Sequence, residues 1–134
     1  MTDQQVFVSY SHRDAKWAGE FAAALESLGV RVWIDQAFPV GDSLREALEQ
    51  GLRDSDILAV VINPDSVNSP ALLFEVGVAI GLGQRVVPIV PQGFDPNLLP
   101  PFFRNRRSLA RSTPRVTATE LLESIGSGQR LVSV

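Results

Sequence analysis

Apolar positions along this chain fall into short runs separated by longer stretches with helical spacing. Val6-Phe7-Val8-Ser9-Tyr10 reads as a buried strand. Ser11 and Asp14 have the S-x-x-D form of a helix start. Trp17, Phe21, Leu25 and Leu28 then recur at helical spacing until Gly29 stops them. Val30 to Ile34 is a second strand, and Asp35 to Asp42 a loop containing Pro39 and Gly41. Ser43-x-x-Glu46 is a capping box, with Leu44, Leu48 and Leu52 as the stripe of a second helix. Ile57 to Ile62 is apolar throughout, as expected for a strand in the middle of a parallel sheet.

Asn63 to Pro70 is a polar loop, and Ala71 to Leu82 reads as a third helix with Gly83 as its stop. Gly77 and Gly81 on that helix predict close helix–sheet packing. Arg85 to Val90 is a fourth strand, in which Pro88 points to an edge or a strand end, since proline donates no ladder bond. Pro91 to Pro101 is loop-rich, with one helical turn expected at Asn97 to Leu99. Arg107 to Ala110 is a short fifth strand, Thr117 to Ile125 a last helix, and the tail after Gly126 is expected to be loose. Strand–helix alternation of this kind predicts an α/β fold, an open sheet of about five parallel strands with helices on both faces. Ligands bind such sheets at the carboxyl ends of the strands. Ser9 to Asp14, Asp35 to Ser43 and Asn63 to Glu75 lie there.

Composition narrows the chemistry. The 134 residues suit a single domain over 1–134, with 45% hydrophobic and 20% charged residues excluding disorder. No cysteine is present, so disulfides and thiolate chemistry are excluded. His12 is the one histidine; it reads as an exposed structural residue, and no metal site is expected. No apolar run approaches the roughly 20 residues of a membrane span, and no secretory signal is visible. A cytoplasmic protein with no membrane partner is expected. Net charge is −3, unevenly placed: residues 1–100 carry six basic and thirteen acidic side chains, residues 101–134 six Arg and two Glu. The Arg-rich end reads as a solvated face, or more sharply as a contact for an acidic partner. The acidic balance disfavours nucleic acid as a partner.

Several familiar sites fail. A P-loop is absent, and Gly77, Gly81 and Gly83 do not form G-x-G-x-x-G. A phosphoacceptor domain would need Asp where Asn63-Pro64 stands. Glu75 is different, because a carboxylate among Leu72, Leu73, Phe74 and Val76 is costly to bury unpaired. The helix macrodipole offers a structural account of an early acidic residue; catalysis offers another, which the position at the strand carboxyl ends favours.

Four segments in order resemble TIR (Toll/interleukin-1 receptor) domains. Val6 to Asp14 resembles the first TIR motif; Gly29 to Asp35, with Pro39-Val40-Gly41-Asp42, resembles the second strand and BB loop; Ser55 to Pro64 resembles the third strand and its exit. Ser69 to Glu75 matches the S-x-W-x-x-x-E pattern around the family's catalytic glutamate, except that Ala71 replaces Trp and Leu72 stands where Cys is common.

The resemblance implies a flavodoxin-like fold and an NAD+ nucleosidase that needs no cofactor beyond NAD+ as substrate. Nicotinamide release would leave ADP-ribose or a cyclic ADP-ribose isomer, in antiphage defence signalling and under activation by oligomerisation. Glu75 would be the catalytic carboxylate. Phe7, Ser9, Tyr10, Arg13, Trp33, Asp35 and Ser69 would bind substrate, though Phe7 and Trp33 also suit the core and Ser9 a helix cap. Phe38-Pro39-Val40-Gly41, an apolar BB-loop tip, would serve TIR–TIR self-association. A sensor module, fused or separate, is the further expected partner, with this chain as a complete protein or the N-terminal effector of a longer one. Two other readings stand beside this one: a non-enzymatic TIR adaptor, and a nucleoside deoxyribosyltransferase-like enzyme.

Overall fold

The computed structural model describes residues 4–34, 51, 53–65, 67, 70–104 and 106–132. Five strands form one parallel sheet in the order β2-β1-β3-β4-β5: β1 (Gln5–Ser9), β2 (Arg31–Ile34), β3 (Ile57–Val61), β4 (Arg85–Val90) and β5 (Leu109–Ala110). Among the described residues the helices whose bounds are seen are α1 (Ala15–Ser27), α2 (Pro70–Gly81), the single turn α3 (Pro101–Arg104) and α4 (Pro114–Val132), and Gly51 and Arg53 are also helical. The fold is the expected flavodoxin-like α/β type. The expected loop 35–42 and most of the helix after it lie outside the described residues.

Side chains alternate across each strand and divide the core in two. Val6, Val8, Ile57, Ala59, Val61, Val87 and Ile89 face one side, where Phe21 and Leu25 of α1 and Ala118 and Leu121 of α4 cover them. Phe7, Leu58, Val60, Ile62 and Val86 face the other, beneath Leu72, Val76 and Ala79 of α2. All five residues of β3 are buried, which explains their unbroken apolar run.

α1 and α2 end as their glycines predict. At Gly29 (φ +91°) the Val30 N–H reaches the Leu25 carbonyl at 3.1 Å and the Gly29 N–H the Glu26 carbonyl at 3.0 Å. Gly83 (φ +75°) repeats the pattern, with Gln84 bonded to Ala79 at 2.9 Å and Gly83 to Ile80 at 3.0 Å. These are Schellman caps, whose left-handed residue favours glycine.

Five expectations need correction. Pro88 lies inside the sheet, since β4 runs between β3 and β5. The Ile89 carbonyl accepts from Ile62 and the Val90 carbonyl from Arg111. Backbone groups alternate sides in a parallel strand, so position 88 faces β5, whose pairing begins only at Leu109 opposite Ile89. Proline there removes no ladder bond. Gly77 and Gly81 do not pack on the sheet. Both are exposed, and a Cβ at either would meet nothing within 4 Å, because the sheet-facing stripe of α2 runs through Leu72, Glu75, Val76 and Ala79. α1 starts at Ala15 after a 3-10 turn (His12–Asp14), and Ser11 makes no side-chain cap. Leu28 is exposed rather than part of the buried stripe. The last helix starts at Pro114, capped by Thr113 Oγ1, which accepts the Val116 N–H at 3.3 Å, and it continues past Gly126 to Val132.

Candidate active site

β1 and β3 are neighbours whose outgoing connections pass to opposite faces of the sheet, so their carboxyl ends form a topological switch point. This is where open α/β sheets receive ligands. α2 leaves from this edge. Its Glu75 lies five residues from Pro70, about 7.5 Å along the axis at 1.5 Å per residue. Glu75 is only 2% exposed. It belongs to the buried stripe of a helix that otherwise holds apolar or small side chains. A carboxylate kept at such a position opposes several kcal/mol of desolvation, which sets Glu75 apart from the exposed acidic residues of the chain.

Strand alternation decides which predicted residues share its face. Phe7, in register with Leu58, points to the α2 side, and so does Ser9, in register with Val60. Ser9 is buried at the end of β1, on the carboxyl edge. Trp33, in register with Phe7, stacks on its ring at a centroid distance of 4.7 Å and 15° between planes. A Cβ at Gly51 would lie 2.7 Å from Cδ2 and Cε2 of Trp33 and 3.1 Å from Cε2 of Phe7, so the Gly51 backbone abuts both rings of the stack. Tyr10 turns the other way, into the core beneath α1. Arg13 is exposed on the rim, ion-paired with Asp65 of the loop leaving β3. Asp35, Ser69 and the loop tip Phe38, Pro39, Val40 and Gly41 lie outside the described residues. Among the described residues no group of three or more His, Asp or Glu side chains could hold a metal ion.

A polar network closes the same edge, and it was not foreseen. Asp14, 5% exposed, accepts from Arg111 Nη2 at 2.8 Å through Oδ1. Its Oδ2 accepts from Asn63 Nδ2 at 2.7 Å and from Ser11 Oγ at 3.3 Å. The Arg111 guanidinium lies 4.9 Å from the centroid of the Trp17 ring, and the Trp17 indole N–H donates to the Ser112 carbonyl at 3.0 Å. The buried carboxylate is thereby paired and hydrogen-bonded, as burial requires. A sequence signal for Asp14 existed in its apparent helix-start motif with Ser11, but its other two partners lie 49 and 97 residues away.

The parallel order β2-β1-β3-β4-β5 defines a flavodoxin-like α/β fold, and the chain belongs to the TIR domain family, with residues 6–120 matching it. Over 67 residues the chain is 36% identical to the 2′ cyclic ADP-D-ribose synthase AbTIR of Acinetobacter baumannii, covering 48% of this chain and 25% of that protein. Over 63 residues it is 36% identical to the NAD(+) hydrolase TcpA of a Theionarchaea archaeon, covering 46% and 19%. The matched stretch thus spans a quarter or less of each of these curated relatives. Among solved structures, the TIR domain of the Toll-related receptor TRR-2 from Hydra magnipapillata superposes with a TM-score of 0.64 at 20% identity, covering 78% of this chain and 82% of that one. That likeness is one of fold. No helix among the described residues is long and apolar enough to cross a membrane.

Proposed function

We propose that this domain cleaves NAD+ at the nicotinamide–ribose bond, with Glu75 as the catalytic carboxylate. The observation that carries the reading is a glutamate 2% exposed on the sheet-facing side of α2, sharing that side with Ser9 at the carboxyl edge. The activities named for the two relatives above support it.

The chemistry suits a single carboxylate. Glycosidases ordinarily need a second group to protonate the leaving oxygen. Nicotinamide departs from a pyridinium as a neutral molecule and needs no proton. The positive charge that develops on the ribose is what must be stabilised, and an ionised Glu75 supplies the opposite charge in a poorly solvated place. Water attack then yields ADP-ribose; attack by a nucleophile within the same molecule yields a cyclic isomer. Arg13 and Ser9 are the proposed contacts of the dinucleotide at the rim, with Ser69 and Asp35 completing the set. NAD+ is the substrate, and no other cofactor takes part. Activity depends on TIR–TIR assembly and on a sensor module, in an antiphage signalling role.

Ala71, where many active members carry Trp, favours a second reading as a binding adaptor. One experiment separates the two. NAD+ is incubated with artificially clustered protein, and products are separated by chromatography and identified by mass, with Glu75→Gln as control. Glu75-dependent nicotinamide release establishes the enzyme, and its co-product distinguishes hydrolase from cyclase. Clustered protein that releases none refutes the proposal in favour of the adaptor.

A further inference from the structure

The carboxyl ends of β1 and β3 part at the switch point, one chain continuing to α1 and the other to α2 on the opposite face. Besides the exposed ion pair of Arg13 with Asp65, a buried side chain spans the gap. Asn63, 6% exposed, donates through Nδ2 to Asp14 Oδ2 at 2.7 Å and to Ser11 Oγ at 2.8 Å, both in the turn leaving β1. Its Oδ1 accepts the Asp65 N–H at 2.8 Å, which shapes the start of the loop leaving β3. The two amide protons and the amide oxygen are all engaged. Asp14 is itself held from a third strand end: Arg111 pairs with its other oxygen, and the Arg111 N–H donates to the Val90 carbonyl at 2.6 Å.

We propose that Asn63 is a positioning residue: its amide fastens the exit of β3 to Asp14 and Ser11 and fixes the crevice in which substrate meets Glu75. Asp14 and Arg111 act through it, as the acceptor and the anchor of that acceptor. None of the three is asked to touch substrate. A group that sets the distance between two walls of a site governs how often bound substrate is correctly aligned, which is a kcat effect. The proposal rests on the NAD-cleaving reading for its kinetic arm; its structural arm stands apart from it.

The donor–acceptor pair can be reversed. Asn63→Asp places a second carboxylate against Asp14 and breaks the fastening. Asn63→Asp combined with Asp14→Asn exchanges the two roles. The carboxylate at position 63 then accepts from the amide at position 14, from the Ser11 hydroxyl and from the Asp65 N–H, while Arg111 keeps an amide oxygen as acceptor. Asn63→Ala, which removes the donor and adds no charge, serves as the second variant should Asn63→Asp not fold.

The full chain is measured in two ways: kcat and KM for nicotinamide release by clustered protein, and hydrogen exchange of peptides spanning 64–82. We expect Asn63→Asp to lower kcat about tenfold or more, with KM within about threefold, and the double variant to recover most of kcat. Exchange over 64–82 should rise in the single variant and return toward wild type in the double. Unchanged exchange in Asn63→Asp overturns the proposal, as does raised exchange with unaltered kcat, which marks a merely structural contact. Wild-type protein that releases no nicotinamide refutes the NAD reading alone. The fastening is then decided by whether exchange rises in the single variant and is restored in the double.

Discussion

Gly51 and Gly77 both occupy helical backbone, yet replacing each by alanine should move stability in opposite directions. Alanine gains up to about 1 kcal/mol over glycine in a helix, through backbone entropy. At Gly77 nothing lies within 4 Å of the added Cβ, so Gly77→Ala should realise about 0.5–1 kcal/mol of stabilisation. At Gly51 the same atom falls 2.7 Å from Cδ2 and Cε2 of Trp33 and 3.1 Å from Cε2 of Phe7. Those Trp33 atoms join the two indole rings and are not the far end of a flexible chain. The indole is stacked on Phe7, which is 1% exposed. Retreat of the indole therefore displaces the core, at about 1–3 kcal/mol for overpacking. That exceeds the helix gain, leaving Gly51→Ala destabilised by about 1 kcal/mol. In a chain of this size, that is a fall of about 3–5 °C in Tm, against a similar rise or less for Gly77→Ala. Thermal unfolding followed by circular dichroism reads both, and the near-ultraviolet signal reports the Trp33 stack. A Gly51→Ala chain as stable as wild type, with its near-ultraviolet spectrum intact, would show that the Phe7–Trp33 stack yields to the added methyl at no cost.

Arg111→Ala should cost about 2 kcal/mol, the loss of one charge-assisted bond to a nearly buried carboxylate that Asn63 and Ser11 still serve, and urea titration measures it. A cost under about 0.5 kcal/mol would place the pair among exposed ones that contribute little. Pro88→Ala should not strengthen the sheet. It frees an N–H in a buried position that faces β5 before β5 pairing begins, so a loss of about 1 kcal/mol is expected, and a gain in Tm would contradict the orientation inferred for β4.

The strands were legible because each is a β-branched or apolar run, and parallel sheets bury such runs on both faces. β3 shows this best, with all five residues buried. The helix ends at Gly29 and Gly83 were legible for an equally local reason, a left-handed residue that glycine accommodates. Pro88 misled because its effect depends on which neighbour its missing N–H would have faced, a property of register. Gly77 and Gly81 misled because a glycine's identity does not tell which side of a helix it occupies. At the site, Glu75 stood out as the one charge in an apolar helix, and the face of Ser9 follows from alternation along β1. The network of Asp14, Asn63 and Arg111 could not be read, since it joins three strand ends far apart in the chain. Its aspartate looked like an ordinary helix-start residue until its partners were in place.

If the buried carboxylate of Glu75 cleaves NAD+, removing its charge alone should stop the reaction. The most direct measurement is the rate of nicotinamide release by clustered wild-type protein against Glu75→Gln, an exchange that keeps the side-chain shape and removes the charge, with thermal unfolding run on both. The rate should fall about a hundredfold or more in the variant while it stays folded at the assay temperature. Equal rates in two folded proteins would contradict it and move the chemistry to another residue.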